Sequence, residues 1–192
     1  MSDNLNLAII IGSTRDGRFG PSITEWFREQ AEQNDRFNID VIDLVDCELP
    51  DQLVDSEENI PRAVLNLSER LERADAFVMV TPEYNRSFPA PLKTAIDWFH
   101  SEWAAKPVSF VSYGGISGGL RGVEQLRLVL AELHATTIRD TVCFPNFWDS
   151  FDESGTLTDP EGPNKAAQHV LNNLAWWAQA LSRQRAVEPY GQ

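Results

Sequence analysis

Apolar residues along this chain alternate between two rhythms. Short apolar runs occur at Leu5–Ile11, Asp75–Val80 and Lys106–Ser112, and the β-branched stretch Thr136–Phe144 is similar. Each has the length and composition of a buried strand. Asn38–Leu44 alternates more loosely through Ile39, Val41, Ile42 and Leu44, and reads as a further strand. Between them, apolar positions recur at helical spacing: Ile23, Trp26 and Phe27 after Pro21; Val64, Leu65, Leu67 and Leu71 within Pro61–Ala74; Leu92, Ala95, Ile96 and Phe99 within Pro89–Phe99; Val123, Leu126, Leu130 and Leu133 within Leu120–His134. Asn164–Leu181 makes a closing helix, Val45–Ile60 reads as an exposed connection, and Phe147–Pro163 as a polar loop. Pro21 suits a first helical turn, where a missing N–H costs nothing.

Strands and helices alternating at this spacing predict βαβ units and a parallel sheet. Five strands and five helices in 192 residues match a three-layer α/β, flavodoxin-like doubly wound sheet of order 2-1-3-4-5. One domain spanning 1–192, with its core in about 5–181, is the expectation.

In such a sheet, ligands sit outside the carboxyl ends of the strands at the topological switch point. Three unusual loops are expected there. The first, Gly12-Ser-Thr-Arg-Asp-Gly-Arg-Phe-Gly20, leads into a helix. Its hydroxyls, helix-terminal amides and two arginines suit a phosphate. The spacing is neither the dinucleotide Gly-x-Gly-x-x-Gly nor a P-loop, and a tight turn with internally paired arginines is the competing reading. The second, Thr81–Phe88, is stiffened by prolines and offers the Tyr84 ring and the Asn85 amide. Tyr84 reads equally as a stacking or a packing residue, while Glu83 is more useful through its backbone amide than its carboxylate. The third, Ser112–Gly119, holds four glycines in eight residues, and so serves as a flat ligand wall or a flexible turn. Together the three imply a phosphorylated planar cofactor.

Charge narrows the field. Sixteen basic against 29 acidic residues give a net −13, which argues against nucleic acid or an anionic membrane as partner. It also requires that any phosphate be met by local cations such as Arg15 and Arg18. Cys47 and Cys143 fit no metal or Cys-x-x-Cys spacing, and His100, His134 and His169 form no ligand pattern. No apolar segment approaches the roughly 20 residues of a membrane span, and the N-terminus lacks a basic leader, so a cytoplasmic protein is expected.

Gly-Ser-Thr-Arg…Arg-Phe-Gly-Pro, Pro-Glu-Tyr-Asn-Arg-Ser-Phe-Pro…Leu-Lys-Thr-Ala-Ile-Asp-Trp and Ser-Tyr-Gly-Gly…Gly-Gly-Leu-Arg-Gly resemble the NADPH-dependent FMN reductase family, flavodoxin-like proteins that include azo-, quinone- and chromate-reducing members. The resemblance runs from about Leu5 to Leu181. It implies that Ser13, Arg15, Arg18, Phe19 and Gly20 surround an FMN phosphate. Pro82, Glu83, Tyr84 and Asn85 would then lie along the isoalloxazine with Ser87 nearby, and Ser112, Tyr113, Gly114 and Gly115 would approach from the other side. Ala90 and Thr94 depart from the family's usual Gly and Asn, on the helix beyond these contacts.

The implied activity is NADPH- or NADH-dependent reduction of a small acceptor (flavin, quinone, azo compound or metal oxyanion) through bound FMN, with no catalytic side chain. A flavin-binding electron carrier or redox-sensing module is the alternative. Arg86 and Arg121 are candidates for the NADPH 2′-phosphate. A homodimer or dimer of dimers is implied, for which Trp98, Phe99 and Trp103 form either an interface cluster or, beside Trp176 and Trp177, a tryptophan-rich core.

Overall fold

The computed structural model describes residues 4–54 and 57–191. Its centre is a parallel sheet of β1 (Leu5–Ile11), β2 (Phe37–Asp43), β3 (Ala76–Pro82), β4 (Pro107–Gly114), β5 (Thr136–Thr137) and β6 (Val142–Pro145). The order is β2-β1-β3-β4-β5, with β6 also pairing β4. This is the expected winding.

Helices cover both faces: α1 (Gly20–Glu32), α2 (Leu44–Cys47), α3 (Arg62–Arg73), α4 (Ala90–Asp97), α5 (Leu120–Glu132) and α6 (Glu161–Val187). Side chains of the central strands alternate between two cores. Leu7, Ile9, Val78, Val80 and Val111 pack with Ile23 and Phe27 of α1 and Leu171 and Leu174 of α6. Ala8, Ile10, Phe77, Met79 and Phe110 pack with Leu67 and Leu71 of α3, Ile96 of α4 and Leu126 of α5. Both faces are therefore dry, which is why these strands read as unbroken apolar runs. Each fully buried Leu or Phe contributes about 1.5–3 kcal/mol on this scale.

Phe99 and Trp103 are buried, at 4% and 1% exposure, and belong to the second core. Trp98 donates its indole N–H to the Pro50 carbonyl at 2.8 Å. The aromatic surplus after α4 is thus largely internal, whereas Trp176 and Trp177 face outward on α6.

Three elements differ from expectation. Val45–Ile60 is not wholly an exposed connection. Asp43 caps α2 through the Val45 N–H at 3.2 Å, and Leu49 and Ile60 pack against the core; Asp55 and Ser56 lie outside the described residues. The fifth strand is broken in two. Between Val108↔Thr137 and Val111↔Val142 the edge strand carries two more residues than β4, an extended bulge. The Asp140 carbonyl there accepts from Ser109 Oγ at 2.8 Å, and its carboxylate accepts from Asn173 of α6 at 2.8 Å. Finally, α6 outruns the predicted helix at both ends. Its last turn is held by Arg185, which donates to the Ala105 carbonyl at 2.6 Å and pairs with Asp75.

At the opposite edge from the strand carboxyl ends, buried Lys106 closes α3. Its ammonium donates to the Leu71 and Glu72 carbonyls at 2.8 and 2.9 Å and lies 5.6 Å from the Phe77 ring centre. The last carbonyls of a helix carry partial negative charge that a cation satisfies. Burial nevertheless lowers its pKa to about 8, with Arg185 acting in the same direction.

Candidate functional site

The loops after β1, β3 and β4 meet at one edge around a cleft of about 370 Å³. From the first loop, Arg15, Arg18 and Phe19 line it; from the second, Pro82, Glu83 and Tyr84; from the third, Tyr113, Gly114 and Gly115. A larger recess of about 570 Å³ lies beside α1, among Glu25, Glu29 and residues 154–157. That recess is lined by two carboxylates and by no basic side chain, whereas the cleft opens at the carboxyl ends of the strands, so the cleft is the better site for an anionic ligand.

The first loop is built around Arg18. Its guanidinium grips both Asp43 carboxylate oxygens, at 2.5 and 2.6 Å, and donates to the Ser13 carbonyl at 2.7 Å. The Asp43 contact raises the pKa of Arg18, although burial opposes it. Arg18 therefore braces the loop against the end of β2; its acidic partner lies outside the loop, not within it as the tight-turn reading expected. Arg15 is exposed on the cleft side. Helix α1 begins at Gly20 with no acidic residue in its first turn, leaving the partial positive charge of its amides uncompensated. Gly20 packs so closely that a Cβ would lie 2.9 Å from Ile11 and 3.2 Å from the Tyr113 hydroxyl.

The second loop is a tight turn. Tyr84 and Ser87 exchange backbone hydrogen bonds at 2.9 Å in both directions, and Asn85 and Arg86 have φ of 50° and 69°. This is the type I′ geometry, which non-glycine residues adopt only at a cost. Helix α5 holds it there: Ser87 donates to Gln125 Oε1 at 2.6 Å, and Gln125 Nε2 donates to the Arg86 carbonyl at 2.7 Å. Asn85 and Ser87 thus shape the turn and do not line the cleft. The Tyr84 hydroxyl lies 2.7 Å from Ser13 Oγ, joining the first two loops.

Glu83 differs from expectation. Its backbone N–H is taken by the Tyr113 carbonyl at 3.0 Å. Its carboxylate accepts from Ser117 Oγ at 2.6 Å and from the Arg121 amide and guanidinium at 3.2 Å. Burial disfavours the charge, but these bonds outweigh it and hold the pKa below the usual carboxylate value. Arg121 is thereby committed to Glu83, while Arg86 makes no ion pair among the described residues.

The third loop closes on itself. Buried Ser112 donates to the Gly118 carbonyl at 2.8 Å, and a Cβ on Gly119, at φ 89°, would stand 2.7 Å from Ser112 Cβ. Only glycine fits there. Tyr113 is buried; desolvation, then the neighbouring Tyr84, raise its pKa, so it stays neutral. Ser13, Gly20 and Ser112 are likewise buried behind the cleft wall.

Phe147 and Trp148 also line the cleft; they open the Phe147–Pro163 segment, expected as a polar loop. Phe147 stacks against Phe19 at 5.0 Å and meets the Tyr113 ring edge-on at 5.3 Å. The available signal was an aromatic pair directly after a predicted strand, at the same sheet edge.

One end of the cleft thus offers an arginine and a helix N-terminus, and the other offers aromatic and glycine-backbone walls. That donor set fits an anionic group joined to a planar ring. Comparison with known proteins agrees: residues 5–149 match the model for NADPH-dependent FMN reductase. The chain belongs to this family. A quinone reductase of Escherichia coli is 36% identical over 179 residues, covering 91% of this chain and 92% of that protein. An NAD(P)H-dependent FMN reductase of Schizosaccharomyces pombe is 34% identical over 122 residues, covering 59% and 60% respectively. Among solved structures, FerB, a flavoenzyme NAD(P)H:(acceptor) oxidoreductase of Paracoccus denitrificans, superposes with a TM-score of 0.76 at 25% identity, over 92% of this chain and 98% of that one.

Proposed function

We propose that this member of the family is an FMN-dependent NAD(P)H oxidoreductase that reduces a small acceptor, with the whole chain working as one flavin-binding domain. The observation that carries the reading is the cleft itself, cationic at the α1 end and walled by aromatic and backbone groups at the other. Arg15 and the first-turn amides of α1 would hold the FMN phosphate, with Arg18 fixing the loop that presents them. Pro82, Glu83 and Tyr84 would border the ring on one side, and Tyr113, Gly114 and Gly115 on the other. FMN, when bound, would supply the two-electron redox chemistry between nicotinamide and acceptor. The protein binds, orients and shields. Neither of these wall residues is poised to exchange a proton, since the partners of Glu83 favour its ionised form and burial favours neutral Tyr113.

Anaerobic titration tests this. Protein purified with FMN should be yellow, lose its absorbance near stoichiometric NADPH or NADH, and regain it on adding a quinone. A protein that binds no flavin, or whose flavin neither nucleotide bleaches, would sink the proposal.

A further inference from the structure

We propose that Trp148 selects the electron acceptor, forming an outer aromatic wall that favours planar ring acceptors over compounds without a ring. This rests on the oxidoreductase reading above. Trp148 lines the cleft yet remains 57% exposed. An indole left open beside a ligand cleft is a ready surface for a flat partner.

Its position is built into the fold. The bulge in the edge strand ends in β6, which runs beside β4 as far as Gly114↔Pro145 and so delivers Asn146–Trp148 to the mouth of the cleft. Asn146 turns the chain with φ 44°, its amide donates to the Gly115 carbonyl at 2.9 Å, and its own carbonyl accepts from the Asp149 amide at 2.8 Å. Phe147 then points inward, and Trp148 meets it edge-on at 5.2 Å. A Cβ on Gly115 would lie 3.8 Å from atom Cη2 of the indole, an ordinary van der Waals contact, so the edge of the indole borders the glycine loop.

The outer side of the cleft is otherwise poor in groups that could recognise a small anion. The Glu83 carboxylate faces Ser117 and Arg121, and Arg18 faces Asp43. Among the rings that line the cleft, Phe19, Tyr84 and Phe147 are half-buried and Tyr113 is buried, so Trp148 is the ring most open to an incoming acceptor. With a quinone, the C4–H bond of NADPH breaks as hydride. Two electrons and that hydrogen, with one proton from solvent, yield NADP+ and hydroquinone. With ferricyanide, two ions each take one electron, and NADPH gives NADP+ and a released proton.

The test uses the FMN-loaded protein and its Trp148→Ala and Trp148→Phe variants. Steady-state kcat/KM is measured with p-benzoquinone and with ferricyanide, and the FMN dissociation constant by fluorescence. The quinone-to-ferricyanide ratio should fall about tenfold in the Ala variant and recover in the Phe variant, because stacking is lost and then restored. An unchanged ratio overturns the proposal. So does a fall in both rates that tracks weaker FMN binding, since the indole would then be holding the flavin. Wild-type protein that NADPH does not bleach removes the underlying reading instead, and is recognised before any variant is made.

Discussion

Arg15 and Arg18 lie three residues apart in one loop and do different work. Arg18 satisfies Asp43 and the Ser13 carbonyl together, so its removal unpairs a carboxylate that is only 18% exposed. Arg18→Ala should lower the urea-derived unfolding free energy by about 1–2 kcal/mol, between the values for exposed and buried pairs. Arg15 has no such duty. Arg15→Ala should leave stability within about 0.5 kcal/mol while weakening FMN about tenfold, as expected for one lost charge-assisted contact. Equal stability losses in the two variants would refute this division of labour. Sequence alone placed both arginines in the loop after β1. It could not separate them, because the partner that distinguishes them, Asp43, sits 25 residues beyond Arg18. The same limit explains Glu83: its acidic side chain was legible, but its engagement by Ser117 and Arg121 depends on how the third loop folds back.

At the scale of elements, Lys106 gives α3 a titratable stop. Its pKa in the folded protein is about 8, against 10.5 for an unperturbed lysine. Between those values the unfolded chain binds more protons, so stability should rise with pH. Comparing urea unfolding of wild type and Lys106→Met at pH 8 and pH 10 isolates the effect: wild type should gain about 2 kcal/mol relative to the variant, from roughly 1.4 kcal/mol per pH unit. A constant difference between the two proteins would show that the ammonium titrates normally. Most elements were legible locally. Unbroken runs such as Phe77–Val80 could only be buried strands, and Pro61 and Pro89 marked the starts of α3 and α4. The break in the fifth strand was not, since Ser109 and Asn173 impose it from other elements on Asp140. Nor were the extra turns of α6, which Arg185 anchors to Ala105 and Asp75.

Across the whole molecule, a net charge of −13 surrounds a cleft proposed to receive anionic ligands. Encounter with NADPH is then opposed at long range and favoured only near Arg15. Raising ionic strength from about 0.01 to 0.15 M shortens the screening length from about 30 to 8 Å. It should therefore increase kcat/KM for NADPH, while kcat/KM for a neutral quinone stays level. A decrease for NADPH would mean that the local cations dominate its approach. The winding of the sheet was readable because alternation of strand and helix is periodic, and so was the edge at which the three loops meet. The fastenings among its loops were not. Of these, the contact between Ser13 Oγ and the Tyr84 hydroxyl spans 71 residues of chain. By tying the first and second loops together it makes their spacing a property of the folded protein. The conformational freedom of both loops is surrendered on folding, so little of it is left for a ligand to remove, and affinity can follow from complementarity alone.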